Sequence, residues 1–109
     1  MRLNRTLLLL VLPALFGADW KLAETPLTTP WTADVDPAHP LPDYPRPQMV
    51  RKDWTNLNGL WDFAIRPQKE TSGGNYDGQI LVPFPVESAL SGVMTNFDEH
   101  SKLWYRRSF

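Results

Sequence analysis

From Leu60 to Arg66 the chain alternates without interruption: Trp61, Phe63 and Ile65 fall on one side, Leu60, Asp62, Ala64 and Arg66 on the other. A period of two with large apolar residues on one side predicts a β-strand with one buried face. Asn58-Gly59 places a turn in front of it, Gly59 being free to take a positive φ. Pro67 ends it. Ahead of the turn, Asp53 is placed to cap a short helical turn over Trp54 to Leu57 through its carboxylate.

The rest of the C-terminal half carries strand-length apolar runs separated by polar, turn-forming sequence. Lys69 to Gly78, with Thr71-Ser72-Gly73-Gly74-Asn75 at its centre, predicts a loop. Ile80 to Val82 predicts a short, wholly apolar strand. Pro83 and Pro85 confine that strand to a sheet edge or exit, because a proline cannot donate to a central ladder. Glu87 to Gly92 is open between a turn of helix and a loop, and the polar stretch Thr95 to Lys102 is expected to be exposed. In the last segment Tyr105 and Phe109 share one side with Arg107 between them, and Trp104, Arg106 and Ser108 share the other. There is no internal repeat and no convincing amphipathic helix. Few helices, several short strands and Pro/Gly punctuation predict an all-β sandwich.

The N-terminal part has a different character. Arg2 and Arg5 supply a positive start, Thr6 to Phe16 is almost uninterrupted Leu, Val, Ala and Phe, and Gly17-Ala18 supplies small residues. That order predicts a signal peptide over residues 1–18 and export to the periplasm or the extracellular space. A stable membrane span is not expected, since spanning needs roughly 20 apolar residues and Asp19 arrives too soon. Residues 19–43 are rich in Pro, Thr and Asp. They predict an irregular, extended segment of polyproline-II character, with Trp20, Trp31 and, just after it, Tyr44 as anchors on a folded body.

Composition narrows the function classes. The chain has no cysteine, which excludes a disulfide framework and a thiolate zinc site. The net charge of -1, without a basic stripe or charge block, argues against a nucleic-acid partner. Without the signal peptide and the proline-rich lead only about 65 residues remain, too few for a core of more than a few kcal/mol. The five tryptophans and five phenylalanines are therefore expected to pack against something larger than this chain.

Three strings, taken in order, carry a resemblance. Pro45-Arg46-Pro47-Gln48 leads into Trp54-x-x-Leu57-Asn58-Gly59-x-Trp61-x-Phe63. Ile80-x-Val82-Pro83-Phe84-Pro85-x-Glu87-Ser88 follows with Leu90-Ser91-Gly92, and then Trp104-Tyr105-Arg106-Arg107-x-Phe109. Together, over residues 44–109, they resemble the N-terminal sugar-binding domain of glycoside hydrolase family 2, which holds β-galactosidases, β-glucuronidases and β-mannosidases. The resemblance implies a partial jelly-roll β-sandwich, several strands short of closing, that is normally followed by an immunoglobulin-like sandwich and a (β/α)₈ barrel. It implies retaining hydrolysis of terminal β-glycosides by two glutamates carried on the barrel. This chain is then expected to supply scaffold, with no catalytic residue, cofactor or metal of its own. Its partners are carbohydrate and the C-terminal domains of the same protein. A stand-alone secreted carbohydrate-binding module and a truncated product without function stay open as alternatives.

Individual residues that suggest chemistry have plainer uses. Glu87 is the one carboxylate inside a family-like string, but a retaining site needs a second carboxyl about 5–5.5 Å away. Its expected use is hydrogen bonding that organises the turn after Pro85. Asp98-Glu99-His100 predicts a solvated loop in preference to a metal cluster, because adjacent ligands do not readily converge on one ion. His39 has no visible partner. Ser88 and Ser91 lack the glycine pattern of a nucleophile elbow. Arg106 and Arg107 point to opposite faces of a strand and so form no single binding fork. Trp61 and Phe63 fit a core face better than a sugar platform, and one of Trp104 and Tyr105 is expected to be exposed.

Overall fold

The alternating segment becomes the middle strand of a three-stranded antiparallel sheet. The computed structural model describes residues 20–109, so the signal peptide expected over 1–18 lies outside the described residues. Strand β1 (Gly59–Pro67) pairs with β2 (Gly78–Val82) on one side and with β3 (Ser101–Arg106) on the other, giving the order β2-β1-β3. The fold is all-β, with no α-helix among the described residues. No helix there is long and apolar enough to cross a membrane.

Register puts the apolar side chains on one face. Trp61 lies opposite Ile80 and Ile65 opposite Leu103. Phe63, Ile80 and Val86 form the buried core, with Trp61, Ile65, Val93 and Leu103 packed against it. Phe63 faces Gly78 across the ladder, and a Cβ on that glycine would sit 3.4 Å from the ring edge. Strand β2 therefore starts two residues earlier than its apolar run suggests: bare backbone at Gly78 accepts the ring. The prolines do confine β2 to an edge, and the Val82–Pro83 peptide bond is cis.

The opposite face is also covered. Ala64 and Leu81 are fully buried, and Ala64 lies opposite Trp104. The loop between β1 and β2 folds back over this side, with Gly73 so close to Trp104 that an added Cβ would lie 3.2 Å from the tryptophan Cβ. Lys102 Nζ donates to the Glu70 carbonyl (2.9 Å), tying β3 to the same loop.

Two expectations for the lead fail. Trp54 to Leu57 forms no helical turn and Asp53 caps nothing; a 3₁₀ turn sits earlier, at Pro47–Met49. The carbonyl of Leu57 is taken instead by Trp61 Nε1 (2.8 Å) and Arg107 Nη1 (2.6 Å), while Asn56 Oδ1 accepts from the Asn58 amide (2.8 Å). Trp31 is not an anchor: it is 73% exposed at a 3₁₀ turn, Pro30–Asp34, that interrupts the extended segment. The lead is held by its backbone. Asn58 Nδ2 donates to the carbonyl of the fully buried Pro40 (3.2 Å), Asn56 Nδ2 to that of Leu41 (3.1 Å), and Ala23 N to that of Ala89 (3.2 Å). Trp20 does anchor, its Nε1 donating to the Leu90 carbonyl (3.2 Å). Tyr44 packs on Trp54 with ring centroids 4.8 Å apart.

Truncating the central aromatic should be the most damaging change to the sheet. Phe63→Ala is expected to cost about 3–5 kcal/mol, the range for emptying a buried Phe site. Tyr105→Ala, at a position 40% exposed, should cost clearly less. Urea unfolding of the two variants beside the parent checks the difference; equal losses would show that the core is not centred on Phe63.

Candidate functional site

The three family-like strings lie far apart in sequence, and pairing brings them together. The first occupies the corner into β1, the second the exit from β2, and the third β3 and its end. One arginine closes the arrangement. Arg107 Nη1 donates to the carbonyls of both Leu57 and Asn58 at 2.6 Å, and a Cβ on Gly59 would lie 2.9 Å from the same nitrogen. Gly59 takes φ +132°, a conformation open to glycine and costly for other residues. Asn58-Gly59 is thus the point where backbone shape, a missing Cβ and a guanidinium meet.

Arg106 points to the other face, as its place on a strand requires. Its Nη2 and Nε donate to Asp62 Oδ2 at 2.7 and 3.1 Å, directly across the β1–β3 ladder, and its guanidinium lies 4.0 Å from the Tyr76 ring centroid. The hydrogen bond to Asp62 raises the Arg106 pKa above its ordinary value.

After Pro85 the turn is organised by serines and not by Glu87. Ser88 Oγ accepts from the Ser91 amide (3.2 Å), while Ser91 Oγ donates to the Ser88 carbonyl (2.7 Å) and accepts from the Val93 amide (3.0 Å). Ser91 is fully buried and so satisfied, which makes it a structural hydroxyl and leaves no free nucleophile there. Glu87 is exposed; burial first, and the Glu87 charge second, raise the Tyr105 phenol above its ordinary pKa.

The polar candidates separate likewise. Asp98 turns the backbone, its Oδ1 accepting from the His100 amide (3.1 Å), and its pKa is lowered first by a hydrogen bond from the Ser101 side chain. Asp98, Glu99 and His100 are all exposed. No group of three His, Asp or Glu side chains among the described residues is arranged to hold a metal ion. His39 does have a partner: its Nδ1 lies 3.2 Å from Asp36 Oδ2. The Asp-Pro-x-His spacing carries the signal for this, because Asp36 Oδ1 caps the turn by accepting from the Ala38 amide (2.9 Å). Its pKa is lowered, first by that bond and then by His39.

Asp77 is a structural residue that the sequence did not single out. Where β2 begins, its carboxylate continues the β1 ladder by accepting from the Ile65 amide (2.8 Å), and it also accepts from Arg66 Nη1 (2.8 Å). Those two bonds, in that order, lower its pKa from 3.8.

Two of the concavities among the described residues are lined mainly by apolar surface. One, about 380 Å³, is an apolar groove on the core side between Trp61, Tyr105 and Pro83 to Pro85. The other, about 550 Å³, lies between the lead and the body, with Trp31, Leu41, Phe84, Leu90, Asp34, Asp36 and Asp43 among its lining residues. No family model and no curated protein matches this chain.

Two predictions follow the geometry. Gly59→Ala should unfold at lower denaturant concentration than Gly74→Ala, because Gly74 has nothing within 4 Å of an added Cβ whereas Gly59 meets the Arg107 guanidinium. Chemical denaturation orders the two. Asp77 should account for part of the acid lability. A depressed carboxyl stabilises the fold fully above 3.8, and that contribution is lost as pH falls through the lower folded value. Asp77→Asn should therefore melt lower at neutral pH and lose less on acidification below 3.8, read as melting temperature against pH.

Proposed function

We propose that this chain is the N-terminal sugar-binding and scaffold domain of an exported family 2 glycoside hydrolase. In that protein a barrel would supply both catalytic glutamates for retaining hydrolysis of terminal β-linked sugars. The observation that carries the reading is the convergence of the three family-like strings on adjacent strands, locked at Asn58-Gly59 by Arg107. On this reading β1, β2 and β3 belong to a jelly roll. The apolar groove between Trp61 and Tyr105 is then surface for the strands or domains that complete it. Half-exposed Trp54, Leu57, Phe97 and Tyr105 are further area of that kind, since large apolar side chains gain most from burial.

The exposed Glu87 lies on the serine-built turn, and the carboxylates of Asp62 and Asp77 are engaged by arginines. A second reading, a secreted carbohydrate-binding module without catalysis, is favoured by one feature, the Trp31 cleft.

The two readings part on activity. The purified chain should leave aryl β-galactosides and β-glucuronides intact. Secreted material captured by an antibody to residues 44–66 should hydrolyse one of them with retention of anomeric configuration. Capture of intact, inactive protein would reject the hydrolase reading in favour of the binding module.

A further inference from the structure

The cleft between the lead and the body belongs to none of the three family-like strings as a whole, and its composition is specific. Trp31 presents an indole that is 73% exposed, an uncommon state for so large an apolar surface in a wall of a cavity. Leu41, Phe84 and Leu90 add apolar lining, and three aspartates, Asp34, Asp36 and Asp43, line it as well. No lysine or arginine lines it. The turn that carries Trp31 is held in shape by its own hydrogen bonds, with the Thr29 amide donating to Thr32 Oγ1 (3.0 Å) and the Thr32 amide to the Thr29 carbonyl (3.0 Å). A volume of about 550 Å³ is in the size range of small-ligand sites.

We infer that this cleft is a binding site for an uncharged pyranoside, stacked by its apolar C–H face on Trp31 and hydrogen-bonded through its hydroxyls to the carboxylates of Asp34 and Asp43. The aromatic platform and apolar wall suit a sugar ring, which has one apolar face and a polar edge. Ionised carboxylates are acceptors only, so they pair with the hydroxyl donors of a neutral sugar. They repel a uronate, whose carboxylate would meet three like charges and no cation other than a protonated His39. The site therefore discriminates between neutral and acidic sugars. This inference rests on the carbohydrate reading above.

The test is tryptophan oxidation of the secreted protein in its native form, read by mass spectrometry after trypsin. Residues 22–51 form one tryptic peptide, because Arg46 precedes a proline, and Trp31 is its one tryptophan. Methyl β-galactopyranoside at about ten times its Kd should slow Trp31 oxidation about tenfold. The corresponding uronate should leave it unchanged, and Trp104 should be indifferent to both. The double substitution Asp34→Asn and Asp43→Asn should make the uronate protective. Protection by the uronate in the parent protein, or no protection by the neutral sugar while Trp104 oxidises more slowly than Trp31, would overturn the inference. Equal oxidation of Trp31 and Trp104 would overturn it too, since the cleft would then not be formed. Hydrolytic activity of the same captured material reports on the glycosidase reading separately, so either can fail without the other.

Discussion

The sheet of the described residues depends on β1 being paired along both edges. Strand β2 follows β1 after a loop, whereas β3 comes from more than thirty residues further on, so the sheet closes only when a long-range contact forms. The cost of that closure is entropic, and it is offset by burying the Phe63 face and by pairing groups whose carbonyls would otherwise be idle. Arg107 matters because it acts just where β3 ends and β1 begins. By donating to Leu57 and Asn58 it fixes the corner at which the lead turns into the sheet. Asn58 then passes the constraint on, holding the Pro40 carbonyl and so the lead.

The same architecture explains why side chains that look chemical are not free to act. Arg106 is spent on Asp62, Arg66 on Asp77, and Ser91 on its own turn. Asp77 offsets the like charges placed opposite each other at Arg66 and Lys102 and extends a ladder that β2 starts too late to complete, and Ser91 closes the tight turn after two prolines. Trp54, Leu57, Phe97 and Tyr105 are left partly exposed, which suits a domain that works by being packed upon, as proposed.

Much of the sheet was legible in the sequence, because a period of two determines which side chains share a face whatever the partners turn out to be. Trp61, Phe63 and Ile65 could be read as one face, and Pro83 and Pro85 placed β2 at an edge. The opposite faces of Arg106 and Arg107 followed from the same period. What could not be read were contacts made by backbone carbonyls and long side chains. Nothing in the residues Trp54 to Leu57 announces that Trp61 and Arg107 will take the Leu57 carbonyl, so the helical turn at Asp53 was a reasonable local solution that tertiary donors displaced. Trp31 misled for a related reason. Apolar mass suggests an anchor, but the lead is anchored through Asn56 and Asn58, and the indole is left at a cleft. Asp77 was hidden because its role depends on β2 starting at Gly78, which in turn depends on the Phe63 ring.

We propose this sheet as scaffold for a larger exported glycosidase. The most direct measurement is the mass of the native secreted product, detected with an antibody to residues 44–66 in culture and envelope fractions. The account predicts a species many times heavier than this chain. A stable species near the mass of the mature chain would contradict it.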